Sequence, residues 1–152
     1  MKNNLIYIVS GALAILYLRG RNLLRKLAYK IAGVQLVSIT AEEIKLNINL
    51  LINNPTNIQV MLGNFIANVY INGVYVGNIN YPVNRYLLSG INNITVGLTL
   101  NPTTVGNVLW TQLQSGNIYN MVMDIDGSID VDNKTLKASA RFIMQDFWNF
   151  NR

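Results

Sequence analysis

Cysteine and histidine are both absent from the 152 residues of the chain. Without cysteine there can be no disulfide, no thiol nucleophile, no zinc-thiolate site and no acylated lipoprotein cysteine. Without histidine the chain lacks the commonest general base and the commonest transition-metal ligand. We therefore expect a protein that is not an enzyme, with no catalytic residue, no metal and no cofactor.

Charge is also scarce, because only 12% of the residues are charged, against about 25% in an ordinary soluble domain. The polarity comes instead from 23 asparagines. A surface of neutral amides is poorly protected by self-repulsion, so we expect membrane lipid, other protein subunits or both to cover it. Asparagine and isoleucine together make up 41 residues, a bias typical of AT-rich coding and compatible with a bacterial or bacteriophage source.

The few charges are unevenly distributed between two parts of the chain. Residues 1–30 contain six basic and no acidic side chains, whereas residues 31–152 contain six basic and seven acidic ones, which gives +6 and −1. We therefore expect an N-terminal anchor over residues 1–32, both hydrophobic and basic, followed by a single domain over residues 33–152.

The segment Leu5–Leu18 has no charged residue over 14 positions. As a helix it would be roughly 21 Å long, short of a hydrocarbon core of about 30 Å, although flanking arginines can reach the interface. The sequence predicts a helix that inserts in a membrane or lies at its surface; the alternatives are a buried core helix and a cleaved signal peptide, whose small-residue cleavage site is missing. The predicted membrane-anchoring residues are Leu5, Ile6, Tyr7, Ile8, Val9, Leu13, Ile15, Leu16, Tyr17 and Leu18.

The next segment, Arg21–Ile31, has apolar residues at helical spacing, with basic residues mostly on the other side. This pattern predicts a basic amphipathic helix at a membrane surface. The alternatives are a helix packed on its own domain and a nucleic-acid patch, which the absence of interleaved aromatics disfavours. The basic excess favours a β domain on the cytoplasmic side of a membrane, or within a virion. Lipid headgroups or another anionic partner would contact Arg19, Arg21, Arg25, Lys26 and Lys30.

From Val34 onward the apolar residues alternate with period two, which indicates β-strands. A strand from Ile44 ends at Asn54-Pro55, and Asn72-Gly73 between two apolar triplets predicts a hairpin with a type I′ turn. Further strand patterns follow, with one interruption by a short helix, capped by Thr103 or Thr104 and ending at Ser115-Gly116.

The predicted fold class is mainly β, an antiparallel β-sandwich of about six or seven strands with one short helix, preceded by the apolar and basic N-terminal α-helix. The last residues form an aromatic tail that must be buried, either on the sandwich or on a partner. We interpret it as a partner-packing tail that consists of Phe147, Trp148 and Phe150.

This succession of motifs resembles the water-stress and hypersensitive-response (WHy) domain of type-2 late-embryogenesis-abundant proteins. The resemblance covers about residues 34–144, and the Asn54-Pro55 pair after the first long strand is its most recognisable mark. It implies a small β-sandwich with a helix, no catalytic residues, and a structural turn at Asn54 and Pro55. Members of the family are associated with stress protection, and many carry an N-terminal membrane anchor. This chain lacks the acidic, strongly hydrated surface expected of a desiccation protectant.

Two groups of carboxylates could carry chemistry. Asp124, Asp126, Asp130 and Asp132 share strand parity, but Gly127 comes too early for an EF-hand loop, so a solvated strand face is the simpler interpretation. Glu42 and Glu43 precede a strand and are expected to cap or solvate it.

Three functions remain open at this stage. The first is a structural or assembly protein attached through its N-terminal helix to a membrane or a larger particle, such as the virion of a membrane-containing bacteriophage. The second is a membrane-anchored stress-protective WHy protein. The third is a lipid- or small-ligand-binding module that uses the interior of the sandwich, which would require a cavity of a few hundred Å³. No small-molecule substrate is expected under the first two.

Overall fold

The computed structural model describes residues 4–8, 13–17 and 28–148, with the first two ranges described as backbone only. These residues form a mainly β structure, which confirms the predicted class. The strands are β1 (Asn4–Ile8), β2 (Leu13–Tyr17), β3 (Ala28–Ile39), β4 (Ile44–Asn54), β5 (Val60–Ile71), β6 (Val74–Leu87), β7 (Gly90–Leu100), β8 (Val122–Val131) and β9 (Lys134–Ile143).

Two antiparallel sheets contain these strands. The first sheet has the order β1-β2-β3-β4-β7 and the second the order β6-β5-β8-β9. Residues 28–148 thus supply three strands of one sheet and four of the other. The pairing of β4 with β7 runs without a register shift from Ile44 opposite Leu100 to Asn54 opposite Gly90. In β5 the register shifts between Leu62 and Asn64, at Gly63.

The core lies between the inner faces of the two sheets. In β4, alternate residues from Ile44 to Ile52 are buried, and the same alternation recurs in β5, β7 and β8. Alternation places one residue in two on the inner face, so the sequence pattern and the burial coincide. The largest fully buried side chains are Tyr29, Phe65, Ile31, Ile44, Leu46, Ile48, Leu50, Ile52, Leu62 and Ile71.

Two hairpins close through pairs of residues with positive φ. Asn72 and Gly73 have φ of 50° and 80°, and Asp132 and Asn133 have φ of 47° and 65°. Positive φ at both central positions defines the type I′ turn, whose twist matches that of the flanking strands. The predicted hairpin at Asn72-Gly73 is therefore confirmed.

The predicted single helix is two helices, α1 (Pro102–Val105) and α2 (Asn107–Ser115), separated by Gly106 with φ 92°. The cap of α1 is Asn101, whose side chain accepts a hydrogen bond from the Thr104 N–H, rather than a threonine. The predicted end of the helix at Ser115-Gly116 is confirmed. Gly116 adopts the left-handed conformation, and its N–H donates to the last carbonyls of α2. A 3-10 turn, Met144–Asp146, follows β9.

The N-terminal region differs from the prediction. Where the sequence predicts a helix over Leu5–Leu18, the structure has β1 and β2 paired as an antiparallel hairpin. Ala28–Ile31, assigned to the amphipathic helix, is the start of β3, where Tyr29 pairs with Ile52 of β4. The helix prediction is wrong over these described ranges, because a short apolar stretch fits a buried strand as well as a helix. Residues 18–27 lie outside the described residues.

Candidate functional site

The predicted anchor residues fall mainly in the β1–β2 hairpin. Strand β2 continues into the first sheet through three residue pairs with β3, including Ile15 opposite Lys30. Lys30 itself is partly exposed at the start of β3. The remaining predicted residues lie outside the described residues: Val9, Leu18, Arg19, Arg21, Arg25 and Lys26. Within the described residues, the structure has no helix that is both long and apolar enough to cross a membrane.

The outer face of the second sheet carries most of the acidic side chains of the chain, each with a local partner. Asp124 and Arg141 stand opposite each other on β8 and β9 and form a two-pronged ion pair, with N···O distances of 2.6 and 3.1 Å. The hydrogen bond and the charge of Asp124 raise the pKa of the Arg141 guanidinium above its usual value. Such a bidentate pair on the surface fixes the relative orientation of the two side chains.

The other three aspartates on this face also bond within the sheet. Asp126 accepts from the Ser139 hydroxyl at 2.9 Å and Asp130 from the Thr135 hydroxyl at 3.1 Å. Asp132 accepts from the backbone N–H of Met61 at 3.1 Å. Among the described residues no three carboxylates converge as metal ligands would. The carboxylates of this face thus form hydrogen bonds that link neighbouring strands.

The outer face of the first sheet is nearly uncharged. Thr95 of β7 donates to the side-chain oxygen of Asn49 on β4 at 3.2 Å. At the end of this face Lys45 is paired with Glu43 at 3.1 Å. Sequence reasoning did not find this surface, because it depends on which strands are neighbours. Its amide, hydroxyl and glycine positions are Gln35, Asn47, Asn49, Asn93, Thr95, Gly97 and Thr99.

The Asn54-Pro55 pair forms a closed turn at the end of β4. Asn54 is fully buried, the one buried polar residue among those described. Its amide donates to the Ile58 carbonyl at 2.8 Å, and its oxygen accepts from the N–H of Thr56 at 3.1 Å and from its hydroxyl at 2.7 Å. This is an Asx-type turn, in which the Asn54 side chain bonds to residues two and four positions further along the chain. Asn54 therefore has a structural position.

The aromatic tail packs on its own sandwich. Trp148 is 4% exposed, and its indole N–H donates to the Leu113 carbonyl of α2 at 3.1 Å. Phe147 packs edge-to-face against Phe142 and Trp148. The assignment to a partner-packing tail is corrected for Trp148, because its side chain is buried on its own sandwich and bonds to α2. For Phe147, which is partly exposed, it stays a prediction. Phe150 lies outside the described residues.

Two surface depressions border residues that the structure describes. One, of about 440 Å³, is polar and lies at the β8–β9 turn beside Gly63, Asp130 and Asp132. The other, of about 390 Å³, is more apolar and lies between the β5–β6 turn and the helices, beside Val74, Val105 and Val108. Both open to solvent, and neither lies between the sheets, where a ligand-binding module would hold its ligand.

The Tyr29 side chain is the least expected feature of the core. It is 1% exposed, and its hydroxyl has no hydrogen-bond partner in the part of the chain that the structure describes. Burial raises the pKa of the phenol well above its usual range. A buried hydroxyl without a partner has lost its hydrogen bonds to water and forms none in the protein, which lowers the stability of the fold. Sequence reasoning missed it, because Tyr29 falls in the segment predicted to be helical.

No protein-family model matches the chain, and no curated protein matches it significantly. Solved structures do share its architecture. The solution structure of AT1g01470 from Arabidopsis thaliana superposes with a TM-score of 0.56 at 11% identity, over 73% of this chain and 76% of that one. At this identity the likeness shows the fold alone.

Two other similarities are weaker. The crystal structure of a protein from Archaeoglobus fulgidus gives a TM-score of 0.49 at 14% identity, over 73% of this chain and 93% of that one. A Bacteroides uniformis β-glucuronidase gives 0.47 at 12% identity, over 71% of this chain but 12% of that much longer one. These scores are too low to carry an argument about fold or function.

Proposed function

We propose that this chain is a non-enzymatic structural or assembly protein, a β-sandwich attached through its N-terminal segment to a membrane or to a larger particle such as a virion. The segregation of charge carries this proposal. An uncharged apolar run of 14 residues, followed at once by basic residues, precedes a body whose net charge is −1. The proposal depends on the composition of this segment and applies equally to a helical and to an extended conformation.

The body supports a passive role. Its aspartates bond to neighbouring strands, and its buried asparagine closes a turn. Asp130 and Asp132 border the polar depression, and they accept hydrogen bonds from the Thr135 hydroxyl and the Met61 N–H. The proposal assigns attachment to the segment that precedes the body.

Flotation of the full-length chain with lipid vesicles tests the attachment. The double variant Ile6→Asp/Leu16→Asp places two charges in the apolar run, where each costs about 2.5 kcal/mol or more to bury in hydrocarbon. We expect the wild-type chain to float with vesicles that contain anionic lipid, and the variant to remain in the dense fraction.

Val108→Asp/Ile91→Asp is the matched control, since both side chains are more than 70% exposed on the body. We expect this control to float as the wild type does. Equal flotation of the apolar-run variant, or no flotation of the wild type, would refute attachment to lipid through this segment.

A second candidate is a membrane-anchored, stress-protective WHy-domain protein. The resemblance of residues 34–144 to that domain, with the Asn54-Pro55 turn, favours it. Drying a labile test enzyme with the full-length chain distinguishes the two functions. Protection from aggregation supports the stress role, and no protection contradicts it. A lipid- or small-ligand-binding module is a third and weaker candidate, because aliphatic and aromatic side chains fill the space between the sheets.

A further inference from the structure

The edges of the two sheets differ in how they are protected against pairing with another strand. Edge strands expose unpaired N–H and C=O groups, and native proteins usually block them with proline, charges or irregular backbone. Strand β6 has Pro82, a positive φ of 44° at Asn84, and Arg85. Strand β9 has Lys134, Lys137 and Arg141. Both edges of the second sheet are therefore blocked.

Strand β7 has none of these features. Gly90–Leu100 contains no charge and no proline, and it pairs with β4 over eleven consecutive positions without a bulge. Its other side has no strand neighbour among the described residues. The result is a long, regular and uncharged edge, the kind to which another strand can add.

The hydrogen bonds show which residues turn toward that open side. The carbonyl of Asn93 accepts from the guanidinium of Arg85, at 3.0 Å, and thus points away from β4. Alternate residues of an antiparallel strand direct both backbone groups to the same side. Thr95, Gly97 and Thr99 consequently share this direction, and all three are exposed.

We propose that β7 pairs with β7 of a second copy of this chain, antiparallel and about a two-fold axis at Gly97, so that the first sheet continues across a dimer. In this register Thr95 lies opposite Thr99 of the other copy and Gly97 lies opposite Gly97. The three facing pairs supply about six backbone hydrogen bonds. Asn93, with its bond from Arg85, lies just outside the paired segment.

A second copy fits this edge better than an unrelated strand because the sequence is self-complementary under the two-fold axis. Threonine facing threonine is a favourable cross-strand pair, and no like charges oppose each other. Arg85 donates to the Asn93 carbonyl just outside the paired segment, and Lys45 and Glu43 neutralise each other at 3.1 Å. Two-fold dimers with the same patch on both subunits are the commonest protein assemblies. The inference is independent of the N-terminal attachment and goes beyond it.

Single introduced cysteines test the register, because the chain has no cysteine of its own. Facing residues in a hydrogen-bonded antiparallel pair have Cα atoms about 5.5 Å apart, within the range that disulfides span. We expect Gly97→Cys in the full-length chain, kept in mild non-ionic detergent, to form a covalent dimer as its main product on oxidation.

Thr95→Cys is the control on the same edge. Two copies of residue 95 lie about 14 Å apart in the proposed register, because each is two residues from the axis. We expect little cross-linking of Thr95→Cys alone and efficient cross-linking when it is mixed with Thr99→Cys. Equal cross-linking of all three single variants would overturn the register.

Sedimentation of charged variants tests the edge itself. Gly97→Lys and Gly97→Glu place like charges at the axis, and an added side chain meets no atom within 4 Å in one copy. We expect each to weaken the dimer about fivefold or more, and their mixture to restore it. Asn53→Lys, exposed on the central strand β4, serves as the control and should dimerise normally.

Three outcomes contradict the proposal. A wild-type chain that is monomeric at all concentrations contradicts it directly. Unchanged association of Gly97→Lys, with unfolding temperature equal to that of the wild type, means that another surface joins the copies. Loss of the dimer in Asn53→Lys as well places the interface on the sheet face and not on its edge.

Discussion

Tyr29 gives the sharpest prediction at the scale of single residues. Because its buried hydroxyl lacks a partner among the described residues, Tyr29→Phe should raise the free energy of unfolding by about 1 kcal/mol at pH 7. Urea titrations followed by tryptophan fluorescence measure the change. Tyr86→Phe is the control, since that side chain is 55% exposed, and it should leave stability unchanged. A destabilised Tyr29→Phe would show that the hydroxyl makes a useful bond.

The same residue makes stability depend on alkaline pH. Burial raises the pKa of Tyr29 in the folded chain, whereas in the unfolded chain the phenol titrates near 10. Below about pH 10 the phenol is protonated in both states, so the free energy of unfolding does not depend on its titration. Above about pH 10 only the unfolded state loses the proton, and the free energy of unfolding falls by up to about 1.4 kcal/mol per pH unit. We expect this alkaline slope to be smaller in Tyr29→Phe than in the wild type, measured by urea titration between pH 9 and about 11.

At the scale of elements, strands β5 and β8 approach each other closely at Gly127. A Cβ added at Gly127 would lie 3.1 Å from both the Ala67 Cβ and the Phe65 ring. Overpacking of this kind costs about 1–3 kcal/mol. We expect Gly127→Ala to lower the unfolding temperature clearly. Gly33→Ala, where no atom lies within 4 Å, should leave it nearly unchanged. Equal effects would contradict the packing described for these two strands.

The strands from Ile44 onward could be predicted from the sequence for a physical reason. A strand with one buried face has apolar residues at alternate positions, as in Ile44–Ile52. An Asn-Gly pair between two strands favours a type I′ turn whatever the rest of the fold. Asn54 could be found by its Pro neighbour, although its burial could not. These features depend on local sequence alone.

Other elements could not be predicted because they depend on distant partners. An apolar run without periodicity fits a helix and a buried strand equally, so β1 and β2 were missed. Trp148 required knowledge of where α2 lies. That β7 is an edge strand follows only from the order of the strands in the sheet.

At the scale of the whole molecule, a net charge of +5 describes neither part of the chain. Six cations precede residue 31, while the body has nearly balanced charges, with one ion pair across strands β8 and β9 and one local pair at the start of β4. A basic protein that bound nucleic acid would spread its cations over a groove or a face of the fold. The segregation is instead the basis of our proposal that the chain is attached through one end, with a nearly neutral, asparagine-rich sandwich held at the surface.

Salt-dependent binding to anionic vesicles tests this account most directly. We compare the full-length chain with Arg19→Gln/Arg21→Gln/Arg25→Gln/Lys26→Gln, and with the body control Lys134→Gln/Lys137→Gln, by flotation at low and high salt. Each cation near anionic headgroups is worth about 1 kcal/mol, or about fivefold in affinity. The account predicts that binding of the wild type and of the control weakens as salt is raised. It also predicts that the variant with four substitutions binds far less than the wild type at low salt. If the variant with four substitutions bound as strongly as the wild type, attachment through the basic N-terminal segment would be contradicted.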